Sequence, residues 1–523
     1  MNAAERKERL LELYREFRQG SRLLWEKYAR NQALYLEQAL GRAGRSGGSG
    51  PKTGTPVLYA TYRQELADAV EMMPEAVFLA RRREDERRAE KMTALHRAVL
   101  ERMDFEEVYI RLCESRARLG VGYCEIQVRQ GEPKVTAYDP RAILADPLSE
   151  DLQQGRALFK VSYHPMEYFQ ARYPRQAGRM KARDENLPEG EPGISGGQDG
   201  RIALLTAYYK TYDRRAGRGA VHCMKIAGGE ILYDSRAEKP QGLYPHGEYP
   251  FVAWYYDKLP SNYEWGFGAF DYLAPLQQYI DKLDTLVMQN LARSARPRLM
   301  VNRSAGLDLN ALKDEEQEVV LADRIDESAL RWQECAPMAP YAVQMLMQKC
   351  DLLKSESGQN AASRGELPSN AASGAAISML QAAGSKRTNL HQATINRAFL
   401  AMVRQIVSLL SVCGSADRSY RTEEGYAVLT PEEARGGWEF DLQVRLQRMP
   451  KYESVYQNQL LMQLTQMGAL PAKAAFALMD LSNKEAILKA LEDAEPGGGQ
   501  TGQNGDGQER EGERKHAGAG ENA

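Results

Sequence analysis

The nearest approach in this chain to a phosphate-binding loop is Gly47-Gly-Ser-Gly-Pro-Lys-Thr53. Such a loop needs glycine directly before Lys-Thr and a helix starting there, so that backbone N–H groups meet the phosphates. Here Pro51 precedes Lys52 and Pro56 blocks a helix start, so the stretch reads as a linker. Gly266-Phe-Gly268 lacks the third glycine of a dinucleotide fingerprint and reads as a flexible start to a long helix. The histidines (His96, His164, His222, His246, His391, His516) form no H-x-x-x-H or H-E-x-x-H pair, which argues against a metal site. The cysteines (Cys113, Cys124, Cys223, Cys335, Cys350, Cys413) form no C-x-x-C pair, which fits reduced thiols. His222-Cys223 could be imagined as base and nucleophile. Neighbours on a strand point to opposite faces, so a structural histidine and a buried thiol are expected instead. There is no G-x-S-x-G elbow. Asn302-Arg-Ser304 matches a glycosylation acceptor by chance in a chain read as non-secreted. No spacing among the acidic residues singles out a catalytic pair. The expectation is a protein with no catalytic residues, no metal and no cofactor.

With chemistry absent, the elements carry the reading. Residues Ala3 to Leu40 read as one helix, with Leu10, Leu13, Phe17, Leu24 and Tyr28 near one face, as a packing arm. Gly41 to Gly54 is a linker. Helices are expected from Tyr59 to Arg118, broken at Pro74, with the charged run Glu84 to Lys91 as a solvated face. At Gly120 the period becomes alternating. Val121 to Val128, Gly131-Glu-Pro133 and Lys134 to Tyr138 read as a hairpin. Further strands are expected at Ala157 to Tyr163, Ile202 to Tyr212, Val221 to Ile226, Glu230 to Tyr233 and Phe251 to Tyr256. A loose Pro/Gly stretch, Asn186 to Gly200, interrupts them. This is an α+β region in a mainly α chain.

Phe267 to Pro297 reads as a long helix with Leu273, Leu276, Ile280, Leu283, Val287 and Leu291 on one stripe. At ~1.5 Å per residue it is a rod of roughly 45 Å. An extended piece (Arg298 to Asn302), an acidic stretch and a helix at Tyr341 to Ser355 follow. Ala375 to Cys413 is a third long helical segment, kinked at Gly384-Ser385. Trp438 to Leu446 alternates as a strand. Tyr452 to Met467 and Ala472 to Met479 read as helices, and Ser482-Asn-Lys-Glu485 is a capping box for a last one. From Pro496 to Ala523 the tail reads as disordered.

The totals agree with a multi-region protein: 523 residues, 43% hydrophobic, formal net charge -2. No global field draws it to nucleic acid or membrane. The charged helical start is no signal peptide. The best membrane candidate, Ala398 to Cys413, carries Arg404 and Gln405 and is shorter than the ~18–20 apolar residues of a span. A soluble intracellular protein is expected.

The unusual feature is the stretch from Lys354 to Gln381. Its first half is small and polar, between two long helices, and it runs into Ser373-Gly-Ala-Ala-Ile377. A long polar loop inside a folded region is uncommon and usually functional or disordered.

Four passages, in order, resemble a tailed-phage portal protein of the podovirus-like and prophage kind, over about Tyr59 to Leu491. The first is Val135-Thr-Ala-Tyr-Asp-Pro-Arg-Ala-Ile-Leu-Ala-Asp-Pro147. The second runs from Trp265-Gly-Phe-Gly268 through Pro275-Leu-Gln277 to Lys282. The third is Ser369-Asn-Ala-Ala-Ser-Gly-Ala-Ala-Ile377. The fourth is Arg445-Leu-Gln-Arg-Met-Pro-Lys-Tyr-Glu453 with the Leu460 to Met467 helix.

That resemblance implies a portal fold in a ring, usually a dodecamer, at one capsid vertex. It implies a helical arm and linker at 1–55, a wing at 56–265 and a two-helix stem at 266–356. A channel (tunnel) loop at 357–374 follows, then a kinked helix returning to the wing at 375–450, a crown at 451–495 and a tail at 496–523. Double-stranded DNA would pass through the centre during packaging and ejection. The implied partners are other copies of the chain, the terminase large subunit that hydrolyses ATP, a head-tail adaptor, and capsid and scaffolding proteins, with no membrane. The implied location is the virion, after assembly in the host cytoplasm.

Candidate channel cations are Arg293, Arg296, Arg298, Lys349, Lys354, Arg364, Lys386 and Arg387. The simpler reading of the first three is that cations favour a helix C-terminus; Lys349, Lys354 and Arg364 could equally pair with Asp351, Glu356 and Glu366. Ser357, Gly358, Asn360, Ser363, Gly365, Ser369, Asn370, Ser373 and Gly374 would form a compliant loop unable to read base edges. Near-neutral charge suits sliding DNA, because each phosphate neutralised adds salt-dependent affinity. Two other classes stay open: an oligomeric helical adaptor or scaffold without DNA contact, and a nuclease or hydrolase whose acidic residues meet only in three dimensions.

Overall fold

The computed structural model describes residues 2–40, 54–181, 201–213, 218–258, 266–295, 298–302, 330–333, 340–358, 386–413, 418–422, 425–430, 440–446, 451–468, 470–471, 474–475 and 478–479. Contacts divide the chain into two units, 1–448 and 449–523, each described by itself.

A capping box opens α1 (Ala3–Gly20). The Asn2 side chain accepts from the Glu5 N–H at 2.8 Å, and Glu5 accepts from the Asn2 N–H at 3.1 Å. The expected single helix to Leu40 is instead two, interrupted at Ser21 before α2 (Arg22–Ala39). Gly20 allows a close approach there, since a Cβ would sit 2.8 Å from Pro147 Cγ. Leu10, Leu11, Tyr14 and Phe17 bury among Phe159, Leu205 and Met224. Leu24 and Tyr28 bury beside Val121, Tyr208 and Phe251. The arm therefore packs on its own chain.

α3 (Val57–Glu71) starts directly after Pro56, which precedes the helix rather than blocking it. The expected run of helices to Arg118 also needs correction: Pro74–Ala80 is a strand, β1. α4 (Glu86–Arg102) and α5 (Phe105–Leu119) follow. β2 (Val121–Arg129) and β3 (Glu132–Tyr138) form the expected hairpin. Its turn residues Gln130 and Gly131 have φ of 53° and 80°, the pattern of a type I′ turn that matches strand twist.

Next come β4 (Ile143–Leu144), β5 (Ala157–His164), α6 (Met166–Arg172), α7 (Pro174–Ala177), β6 (Ile202–Asp213), β7 (Arg218–Ala227), β8 (Glu230–Asp234), α8 (Ser235–Glu238) and β9 (Phe251–Tyr255). The strand expectations here hold to within a few residues. β4-β5-β6-β7-β8 is one antiparallel sheet and β3-β2-β9 another. A buried polar group joins them: Glu125 on β2 accepts from Lys160 Nζ on β5 at 2.5 Å and from the Tyr208 hydroxyl on β6 at 2.6 Å.

β10 (Asp257–Lys258) pairs with β11 (Gly266–Phe267) just before α9 (Ala269–Ala295). β12 (Arg298–Val301) pairs with β13 (Leu330–Gln333), a strand the acidic stretch did not suggest. α10 (Pro340–Glu356) and α11 (Lys386–Cys413) follow. Ile395, Phe399, Met402, Val403, Ile406 and Leu410 of α11 lie fully in the main core, at the 3–4-residue spacing of one helix face. Among the described residues no helix is long and apolar enough to cross a membrane. β14 (Arg418–Thr422) and β15 (Gly425–Leu429) form a hairpin, and β16 (Phe440–Leu446) pairs antiparallel with β1. The second unit contains α12 (Lys451–Gln466), followed by Gly468 at φ 71°.

The linker at 41–53, the whole of Asn186 to Gly200, the kink at Gly384-Ser385, the capping box at Ser482 and the tail from Pro496 lie outside the described residues, as does half of Ala472 to Met479.

Candidate functional site

The start of α9 is held from three sides. Where the sequence suggests flexibility at Gly266, the structure shows close approach. A Cβ on Gly266 would lie 2.1 Å from Gly120 O, one on Gly120 (φ +92°) 2.4 Å from Gly266 O, and one on Gly268 2.6 Å from Ala117 O. These are backbone contacts that no rotamer change relieves. Asp271, in the first turn of α9, accepts from Gly268 N at 2.8 Å, Lys27 Nζ at 3.0 Å and Asn31 Nδ2 at 2.8 Å. Burial lowers the Lys27 pKa, and Asp271 opposes that shift. Nearly two turns on, buried Gln277 accepts from Leu58 N at 2.9 Å and donates to Thr55 O at 2.8 Å. It thereby satisfies a donor that the start of α3 leaves orphaned. Burial raises the Asp281 pKa, and hydrogen bonds from Gln277 and Gln38 offset part of it.

Beyond that anchor α9 leaves the core. Its buried residues end at Ile280. The expected stripe continues, but Leu283 and Val287 are half-buried and Leu291 is 59% exposed. α10 packs along α9, and its one buried residue is Leu353. Tyr341, Val343, Met345, Met347 and Leu352 are exposed on it, as are Tyr279 and Leu286 on α9. α10 stops where Gly358 takes φ 82°; Ser357 N donates to Leu353 O at 2.9 Å, and Ser357 Oγ donates to Lys354 O at 2.7 Å. The first glycine of the polar stretch is thus a helix terminator.

Among the candidate cations, Arg293 is exposed in the last turn of α9, where it also favours the helix dipole. Lys349 and Lys354 are half-buried on α10. Five residues apart, they lie about 140° apart around the helix and do not share a face. Arg298 is in β12 opposite Gln333, and Lys386 and Arg387 open α11. Arg296, Arg364, Asn360, Ser363, Gly365, Ser369, Asn370, Ser373 and Gly374 lie outside the described residues.

Groups that could do covalent chemistry are poorly set for it. Burial raises the Cys113 thiol to about 11 and those of Cys124 and Cys223 to about 12, so thiolate is scarce near neutral pH. His222 Nε2 is 3.1 Å from Thr211 Oγ1, while Cys223 packs with Tyr208 and Phe251 on the other face of β7. Among the described residues no group of His, Cys, Asp and Glu could hold a metal ion. The anchors Asp271, Gln277, Lys27 and Asn31 were not singled out from sequence. An acidic residue three positions after Gly268, in a helix's first turn, was the available signal.

A family model described as "Phage P22-like portal protein" matches residues 14–521. No curated protein matches the chain. Among solved structures, a chain of "Neck of empty GTA particle computed with C6 symmetry" aligns at 12% identity with a TM-score of 0.36, covering 83% of this chain and 90% of that one. A likeness that loose supports nothing further.

Proposed function

Since the chain belongs to the Phage P22-like portal protein family, matched from residue 14 to residue 521, we propose that it forms the closed ring at the capsid vertex through which double-stranded DNA is packaged and ejected. In this reading residues 56–265 are the wing and 266–356 the stem. Residues 357–374 are the channel loop, 375–450 return the chain to the wing, and 451–495 form the crown. Other copies of the chain, a terminase, a head-tail adaptor and capsid proteins are its partners, and the chain does no chemistry itself.

The observation that carries the reading beyond the family is the apolar surface of α9 and α10. Tyr341 is 71% and Met347 63% exposed, and Leu286 and Leu291 are exposed too, on a helix pair rooted in the core only at one end. Exposed apolar area of this kind marks an interaction surface, and neighbouring copies would cover it. The same pair holds Arg293, Lys349 and Lys354 and leads into the polar stretch, so the cations with described side chains flank the proposed channel without forming a continuous basic stripe. Few fixed phosphate contacts would let DNA slide.

Electron microscopy of the purified chain tests this. Closed rings are expected, with a central hole about the width of a DNA duplex. A monomer at every concentration would refute it.

A further inference from the structure

Two concavities of opposite charge lie on different elements of the chain. One, of about 210 Å³, sits between the start of β1, the end of α4 and the turn into α5. Glu75, Glu101, Asp104 and Glu106 line it, with Arg97 and His96. Arg97 binds Glu75 at 2.6 Å. Glu101, Asp104 and Glu106 make no ion pair among the described residues. Glu101 stands in the last turn of α4, the helix end that disfavours a carboxylate. His96 is 1% exposed and its Nε2 has no hydrogen-bond partner. Burial holds this imidazole neutral, its pKa lowered to about 4. The wall of the cavity therefore carries unpaired acceptors and a buried nitrogen without a partner.

The second concavity, of about 480 Å³, lies where α1 meets α2. Arg15, Arg18, Arg22 and Arg141 line it around Trp25, with Glu26 as its carboxylate. Arg22 pairs with Glu26 at 3.0 Å and Arg141 with Asp139 at 2.6 Å. The first is an exposed i,i+4 pair on the helix surface, of a weak class, so it exchanges readily for a better partner.

We propose that the arginine-lined groove of one copy docks onto the acidic cavity of the next copy, a head-to-tail contact repeated around the ring. The inference rests on the ring reading. The two surfaces share no residue, so the contact is heterologous, the class that closes into rings. Each supplies what the other lacks: guanidinium N–H donors on one side, and on the other carboxylates without an ion pair. Complementary charge of this sort fixes register and partner choice. Nucleic acid is the rival occupant of an arginine-lined groove; the matching acidic cavity on the same chain favours a second copy.

The test uses two full-length variants. Variant A is Arg15→Glu, Arg18→Glu and Arg22→Glu; variant B is Glu101→Lys and Glu106→Lys. Like charges across an interface cost several kcal/mol, so the ring fraction of either variant alone should fall about tenfold or more. An equimolar mixture should restore rings, because A's acidic cavity meets B's native groove and the two reversed faces meet each other. Misfolded variants could not give that rescue. Rings from either variant alone at the wild-type level would overturn the proposal, including the case where variant A keeps its rings and loses DNA binding. So would a mixture without rings when both variants keep the wild-type circular dichroism. A wild-type chain that never forms rings would overturn the ring reading as well, which separates the two failures.

Discussion

The joint between the two central sheets offers a sharp test of the packing argument. Glu125 is 1% exposed and its partner Lys160 12%. The Lys160 ammonium also lies 4.7 Å from the Tyr138 ring centre and 3.3 Å from the Tyr138 hydroxyl. Burial, with the Glu125 charge second, raises the pKa of both Tyr138 and Tyr208, so both phenols stay protonated and Tyr208 keeps donating to Glu125. Lys160→Met removes the only cation described on Glu125 and leaves a buried carboxylate held by phenols alone. Breaking one side of a buried pair costs about 3–5 kcal/mol. Glu125→Gln with Lys160→Met removes both charges while an amide oxygen can still accept from Tyr208, and should cost about 1 kcal/mol, since a buried pair replaced as a pair is often near neutral. The double variant should therefore be about 2–4 kcal/mol more stable than Lys160→Met alone, so the two sites couple rather than add. Urea unfolding followed by circular dichroism reads it, at one fixed protein concentration because assembly raises apparent stability. If Lys160→Met costs under about 1 kcal/mol, or the two changes simply add, the joint is not the uncompensated-charge device that its geometry implies.

Two further predictions follow from named contacts. Gly120→Ala and Gly266→Ala each force a Cβ to within 2.4 Å of backbone on the other strand of the approach. Each should destabilise by about 3 kcal/mol or more and loosen α9 from the core, against about 1 kcal/mol for an ordinary substitution; a thermal melt within 2 °C of wild type would contradict this. His96 makes the chain acid-sensitive. Unfolded, it takes up a proton near its ordinary 6.5; folded, only near 4. Its contribution is therefore intact above pH 6.5 and is lost as pH falls from 6.5 to 4, up to about 3 kcal/mol. His96→Leu should flatten that part of the stability–pH curve and leave the share of His246, also lowered to about 4 by burial. An undiminished slope would refute the assignment.

What could be read from sequence divides along the range of the contacts. The hairpin around Gln130-Gly131 and the strands of the large sheet are set by neighbours within tens of residues, and alternation exposes them. The α11 face is set by helical period alone, and it too was readable. β1 was not, because Pro74-Glu-Ala-Val-Phe-Leu-Ala80 is too short to establish a period and its partner is remote. The break at Ser21 was hidden because Gly20 serves a contact with Pro147 that lies far along the chain. Gly266 looked like freedom because a glycine's two uses, mobility and close approach, have the same one-letter signal. At the proposed channel, the helix pair was evident from its stripe. Its anchoring by Asp271 and Gln277 was not, since each depends on donors from α2 or α3.

The pairing of β1 with β16 has a consequence for how the protein is made. Arg81 and Asp441, at one end of that ladder, are 360 residues apart and meet at 2.7 Å. At roughly 5–20 residues per second of synthesis, β1 waits about 20–70 s for its partner strand to be translated. During that time Phe78 has no β16 to cover it, and the strand's backbone donors and acceptors present an open template to other nascent chains on the same message. The ring proposed above would draw its copies from just that crowd. The yield of usable subunits should therefore depend on translation speed and on chaperone supply more than on the stability of the finished fold.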